Sequence, residues 1–218
     1  MRVLAIDTAG VDCSVAVYDA ARDRVLARVQ ETLGKGHAER LSGMIDEAFG
    51  QAGLTPSDIG RIGVTIGPGS FTGIRVGVAA ARGLVLALGV PAVGVTTLDV
   101  LAETARRGGL QGALIAAIDA KRDEIYLQSF DESGIAVSAP EALSVEDARA
   151  RLSGLKVPVV GSGAAVLAGT PAAPDHFDID AVARITSRIS NVTGKPAPLY
   201  LRGPDAKPQA GFAIERRA

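Results

Sequence analysis

The hydrophobic period of the first hundred residues changes from two to 3.6 and back, and few architectures accept that order. Three extended segments come first, residues 2–7, 13–18 and 24–30, separated by turn formers (Gly10 with Asp12, then 19–23). Apolar residues run or alternate through them, the pattern of an antiparallel meander. The spacing then switches. Leu41, Met44, Ile45, Ala48, Phe49 and Ala52 recur at three- and four-residue steps, one stripe of a helix over 37–52, and Gly53 stands where a C-cap belongs. A strand over 61–66, a helix over 74–88, a strand over 91–95 and a helix over 97–107 follow. Arg106-Arg107 suits the last turn's dipole and Gly108-Gly109 closes it.

After residue 110 a similar but degenerate mixture begins. A hairpin is expected from 113–119 and 124–130, turning at 120–123. Ser144 with Asp147 caps a helix ending at Leu152. A strand over 157–160 runs into Gly161-Ser162-Gly163, a helix follows over 178–189, and a Pro-rich tail begins at Lys195. The order β-β-β-α-β-α followed by a weaker echo predicts two α/β lobes, 1–109 and 110–218, with the tail from about 203 flexible.

Composition narrows the function. The chain of 218 residues has three Tyr, five Phe and no Trp, so Ala, Val, Leu and Ile must build the core. A net charge of −1 disfavours gripping RNA unaided, because phosphate contacts supply most of such affinity. Cys13 is the sole cysteine, which forbids an intramolecular disulfide and fits a reducing compartment. Met1-Arg2 and a short strand make no signal peptide, and the longest apolar stretch, 83–98, is cut by Pro91 and Thr96-Thr97. No membrane contact and a soluble, cytoplasmic location are expected.

Three features carry the functional reading. Gly67-Pro68-Gly69-Ser70-Phe71-Thr72-Gly73 lies between a strand and a helix, where glycines and a helix N-terminus suit a phosphate or carboxylate. It equally suits a tight turn with Thr72 as cap, and it is no Walker loop. Asp7-Thr8 at the first strand's end could hold a metal–phosphate, or form a turn. The helix over 74–88 is apolar nearly all round, with Gly73, Gly77, Ala80, Ala81 and Gly83 permitting close approach; it is expected partly in the core, partly beneath a partner. Catalysts are missing: His37 and His176 are distant from each other and expected at the surface or in a cap, Cys13 sits mid-strand, and no metal-ligand spacing or nucleophile elbow is present.

Several runs together resemble the bacterial TsaB (YeaZ) family: Val3-Leu4-Ala5-Ile6-Asp7-Thr8 with Cys13-Ser14-Val15-Ala16-Val17, then His37-Ala38-Glu39-Arg40-Leu41. The most specific is the Gly67–Gly73 run with Ile74-Arg75-Val76-Gly77, continuing through Arg82-Gly83-Leu84 to Pro91-Ala92-Val93-Gly94-Val95. Asp119-Ala120-Lys121-Arg122-Asp123-Glu124-Ile125-Tyr126 and Pro198-Leu199-Tyr200-Leu201-Arg202 extend it into the second half. The resemblance implies an actin/Hsp70/sugar-kinase-like fold, two lobes each with a mixed sheet flanked by helices, the second reduced. It implies a non-catalytic scaffold that pairs with the larger paralogue TsaD, recruits the ATPase TsaE, meets tRNA only within that complex, and forms a homodimer when alone. The modified base would be the adenosine next to the anticodon in tRNAs reading ANN codons. Where TsaD-like proteins carry a His-x-x-x-His metal pair, Thr97 and Leu101 stand here, so neither metal nor cofactor is expected. The partner interface is expected at Leu41, Met44, Ile45, Ala48, Phe49, Gly73, Val76, Gly77, Ala80, Ala81 and Leu84. A remnant nucleotide or anion site is expected at Asp7, Thr8, Ser14, Gly67, Gly69, Ser70 and Thr72. The rival reading is a stand-alone kinase-like or M22 peptidase-like enzyme of the same superfold.

Overall fold

Residues 3–7 are buried along their whole length, so the first strand needs a cover on both faces. The computed structural model, which describes residues 1–192 and 194–202, supplies both. Strands β1 (Arg2–Asp7), β2 (Asp12–Asp19) and β3 (Arg24–Thr32) form the expected meander, and β4 (Arg61–Gly67) and β5 (Ala92–Thr96) add in parallel. The sheet order is β3-β2-β1-β4-β5. Helices α1 (His37–Ala52) and α2 (Phe71–Leu88) cover one face.

The second sheet repeats this plan without its last strand. Strands β6 (Leu114–Lys121), β7 (Glu124–Phe130) and β8 (Glu141–Ser144) form a meander, and β9 (Val159–Val160) pairs parallel with β6, in the order β8-β7-β6-β9. β8 was not expected from sequence. Helix α3 (Thr97–Arg107) lies between the two sheets. Leu114, Ala116 and Ile118 join the main core on the α3 side; Ile115 and Ala117 face a smaller core under α4 (Val145–Leu152) and α5 (Ser162–Leu167). Ser144 Oγ accepts from the Asp147 amide, the expected cap.

One helix crosses the boundary drawn at residue 110. α6 (Ile179–Arg188) returns to cover the other face of the first sheet, with Ile179, Ala181, Val182 and Ala183 in the main core. Arg61 donates to the Thr186 and Ile189 carbonyls and Arg28 pairs with Asp180, tying the helix down from both sides. The tail expected to be flexible from 203 lies outside the described residues.

Candidate functional site

Three amides of the Gly67–Gly73 loop and the helix start after it bond within the chain. Ser70 N–H donates to the Ala9 carbonyl at 2.8 Å, and the amides of Gly73 and Ile74 donate to Ser70 Oγ and O. Thr8 Oγ1 donates to the Gly73 carbonyl at 2.7 Å. Gly69 and Gly73 lie so close to the Asp7–Ala9 turn that a Cβ at either would overlap the carbonyl of Ala9 or Thr8. The loop is therefore closed on the first strand's end, and the donors of Ser70, Gly73 and Ile74 that would meet an anion serve the chain itself. The cap is Ser70, so α2 begins at Phe71, and Thr72 is an exposed residue of its first turn rather than the expected cap. Thr97 Oγ1 donates to the Pro68 carbonyl at 2.5 Å, so the position where the resemblance puts the first histidine stitches α3 to this loop. Leu101 is a partly buried member of the core.

Beneath the loop, Asp7 is fully buried; one carboxylate oxygen accepts from Thr65 Oγ1 at 2.6 Å and from the Ala9 amide at 3.0 Å. Its other oxygen and the hydroxyl of its cross-strand neighbour Ser14 are buried with no hydrogen-bond partner. Burial pushes the Asp7 carboxyl up to about 6, the two hydrogen bonds only partly opposing it. Because the folded pKa lies above the ordinary 3.8, this group's stabilising contribution is complete below pH 3.8 and disappears as pH rises through 6. At about 1.4 kcal/mol per pKa unit, the loss is about 3 kcal/mol. Asp7→Asn keeps the shape and removes the titration. Its stability relative to wild type should rise by about that amount between pH 4 and 7, read by urea unfolding at each pH; a constant difference would remove the burial argument.

A cleft of about 990 Å³ opens between the lobes, with Pro68 and Ser70 on one wall and Asp119 and Lys121 on the other. The connector before α6 crosses it. Asp175 bonds Ser162, whose hydroxyl also accepts from the Asp119 amide, and the next residue, His176, meets Asp12 Oδ2 at 2.6 Å. Burial pushes Asp12 up, but hydrogen bonds from Thr32, His176 and Gln30 outweigh it and hold the carboxyl below its usual value. His37, expected at the surface or in a cap, is instead buried at the start of α1 with Nε2 3.1 Å from the Asp12 carbonyl. Asp12 and His176 are 164 positions apart, and no local signal pairs them.

The expected partner surface is largely corrected by burial. Leu41, Met44, Ile45, Ala48 and Phe49 pack onto β2 and β3, where they are at most 8% exposed. Gly73, Gly77 and Ala81 face the sheet; a Cβ on Gly77 would lie 2.5 Å from Thr8 Oγ1. The stripe closes the lobe's own core, covering apolar sheet face that would otherwise stand open to water. What remains toward solvent is the other side of α2: Val76, Ala80 and Leu84 are half-buried, Gly83 is exposed, and with Ala38 and Ser42 of α1 they line a shallow groove of about 560 Å³ whose floor Leu41 and Ile45 reach. α2 is long and apolar enough to span a bilayer by length and composition alone, contrary to expectation, yet it carries Arg75 and Arg82 and lays one side on the sheet.

Among the described residues no group of three or more His, Cys, Asp or Glu is placed to hold a metal ion. Cys13 is buried in β2, which pushes its thiol up to about 11.

A family model described as TsaD, tRNA N6-adenosine threonylcarbamoyltransferase, matches residues 28–173. The tRNA threonylcarbamoyladenosine biosynthesis protein TsaB of Escherichia coli K12 is 37% identical over 172 residues, covering 75% of this chain and 72% of that protein. A crystal structure from Pseudomonas aeruginosa, described as an uncharacterized protein with similarity to peptidase YEAZ, matches with a TM-score of 0.74 at 26% identity, over 92% of this chain and 99% of that one. The ethanolamine utilization protein EutJ of Carboxydothermus hydrogenoformans shares the fold at 12% identity, with a TM-score of 0.50 over 86% and 89%. The two-lobed actin-like architecture is the one the resemblance implied.

Proposed function

The chain belongs to the TsaB (YeaZ) family, and we propose that, in tRNA threonylcarbamoyladenosine biosynthesis, it shapes the catalyst without being one. In this reading it pairs with TsaD through the outer side of α2, helps recruit TsaE, and meets tRNA in the cytoplasm only as part of that assembly. Alone, the same surface would serve a homodimer.

The observation that carries the reading is the closure of the Gly67–Gly73 loop on the Asp7–Ala9 turn. The Ser70, Gly73 and Ile74 amides are bonded within the chain, and the Asp7 carboxylate beneath them is buried and tied to Thr65 and Ala9. Thr97 and Leu101 stand where the resemblance puts a histidine pair, and Leu offers no ligand atom. A peptidase-like or kinase-like activity would need a nucleophile, base or phosphate cradle from other residues.

Unmodified tRNA incubated with TsaD, TsaE, the enzyme that makes threonylcarbamoyl-adenylate, threonine, bicarbonate and ATP should gain the modification only when this chain is added. Mass spectrometry of the digested nucleosides reads the product. Equal yield without the chain would refute the scaffold role, and turnover of ATP or peptide by the chain alone would favour the rival.

A further inference from the structure

Among the described residues, two exposed aromatic side chains lie side by side at the rim of the interlobe cleft. Tyr18, Phe49, Phe130 and Phe177 are buried, whereas Phe71 is 53% and Tyr200 46% exposed. Their ring centroids are 5.3 Å apart at 37°. Arg75, one turn along α2 from Phe71, lays its guanidinium 3.7 Å from the Phe71 centroid and 5.6 Å from that of Tyr200, and its Nε donates to the Tyr200 hydroxyl at 2.7 Å. The segment bearing Tyr200 is itself anchored, since Leu199 N–H donates to the Ile66 carbonyl at 2.8 Å. A chain this poor in aromatics thus holds two of them, locked by an arginine, where water reaches them.

Neither the closed loop nor the α2 groove explains this cluster. A core would bury it, and the cluster lines the interlobe cleft rather than the apolar groove on the outer side of α2. Aromatic faces with an arginine between them are what an unstacked base recognises: every base has a π-face, and the cation answers the adjoining phosphate. Lys121 on the opposite lobe is paired with Asp119, so Arg75 supplies the platform's charge, and the cleft has room for a nucleotide beside the rings. We propose that Phe71, Arg75 and Tyr200 form a stacking platform for one unpaired nucleotide with its phosphate. The proposal rests on the scaffold reading above and adds a direct RNA contact to it. With a net charge of −1 the chain needs a partner's phosphate contacts for RNA affinity, so the platform positions a nucleotide rather than capturing the whole molecule.

Labelled tRNA is titrated onto the assembled complex with TsaD carrying wild-type chain, Phe71→Ala, Tyr200→Ala, Phe71→Trp or the exposed second-lobe control Ile135→Ala. Each alanine variant at the platform should weaken binding by about 5-fold or more. Phe71→Trp should retain it, and the ratio to wild type should be the same at low and high salt, as stacking and not charge requires. In a second arm AMP is titrated onto the isolated chain, watching the Phe71 and Tyr200 ring resonances. AMP shifts lost in the alanine variants would support the platform with free nucleotide as its ligand; an effect on tRNA alone would support it with RNA as the source. If complex assembly and chain-dependent tRNA binding persist while both alanine variants bind like wild type and AMP moves neither ring, the platform is overturned and the scaffold reading survives. If the chain does not join TsaD, the scaffold reading fails, and the AMP arm alone decides the platform.

Discussion

Gly73→Ala is expected to cost the protein at least about 3 kcal/mol, while Gly83→Ala, ten residues further along the same helix, should gain up to about 1 kcal/mol. Both changes remove the entropic penalty of a helical glycine, so the difference reports only what each Cβ meets. At Gly73 it would overlap the Thr8 carbonyl oxygen, which belongs to the backbone and cannot rotate away. Relief would require α2 to lift from β1, breaking the bond from Thr8 Oγ1 to the Gly73 carbonyl and that from Ser70 N–H to Ala9. At Gly83 nothing lies within 4 Å of the added carbon. Urea unfolding of the two variants at one pH separates the outcomes. Should Gly73→Ala prove as stable as wild type, the loop would have slack above the Asp7 turn, and the argument that its donors are spent internally would lose its basis.

The contrast within one helix marks where sequence reasoning stops. Periodicity located α1 to the residue, because Leu41, Met44, Ile45, Ala48 and Phe49 are all that its buried face contains beyond His37 in the first turn. It could not say what buries them: an apolar stripe is the same whether β2 and β3 or another protein covers it. The start of α2 was ambiguous for a related reason. Ser70 and Thr72 are both good caps by chemistry, and the choice falls to Ser70 because its amide is also wanted by the Ala9 carbonyl, 61 residues earlier.

Longer-range features left even less trace. The segment over 178–189 reads as an amphipathic helix, yet nothing local tells that it crosses back to the first sheet. That depends on Gly63 leaving room for Thr186, and on Asp180 meeting Arg28 from β3. Asp12 read as a turn former and His176 as a surface residue. Their pairing emerges only once the connector is laid over the β1–β2 turn, where Gly10 lies against Phe177. Tyr200 and Phe71 stood in separate family-like runs, and only the fold makes them neighbours.

The same burial facts separate two substitutions on α2 that its apolar pattern treats alike. Gly77→Leu should unfold the protein: its first side-chain carbon would already stand 2.5 Å from Thr8 Oγ1 and 3.3 Å from Val64, with three more to place in a filled core. Ala80→Arg should leave the fold intact, since Ala80 is half-buried at the outer groove and arginine is nearly as good a helix former as alanine. Its effect should appear in pairing. Val76, Ala79, Ala80, Gly83 and Leu84 present an apolar, small-residue surface of the kind on which helices approach to about 8–10 Å. A partner built on the same lobe plan could meet it with its own equivalent helices about a pseudo-two-fold axis, and a second copy of this chain could do so about a true one. Asp46 also lines this groove, but a guanidinium trapped at the contact must still shed its water and displace the apolar surface, which costs several kcal/mol. On the pairing proposed above, affinity for TsaD should therefore fall by at least about 100-fold, equivalent to about 3 kcal/mol, with an unchanged circular dichroism spectrum and urea midpoint. Calorimetric titration of TsaD with the variant measures it. A folded Ala80→Arg chain that binds TsaD as wild type does would move the interface off the outer side of α2, and the groove between α1 and α2 would then have to be read as surface with no partner.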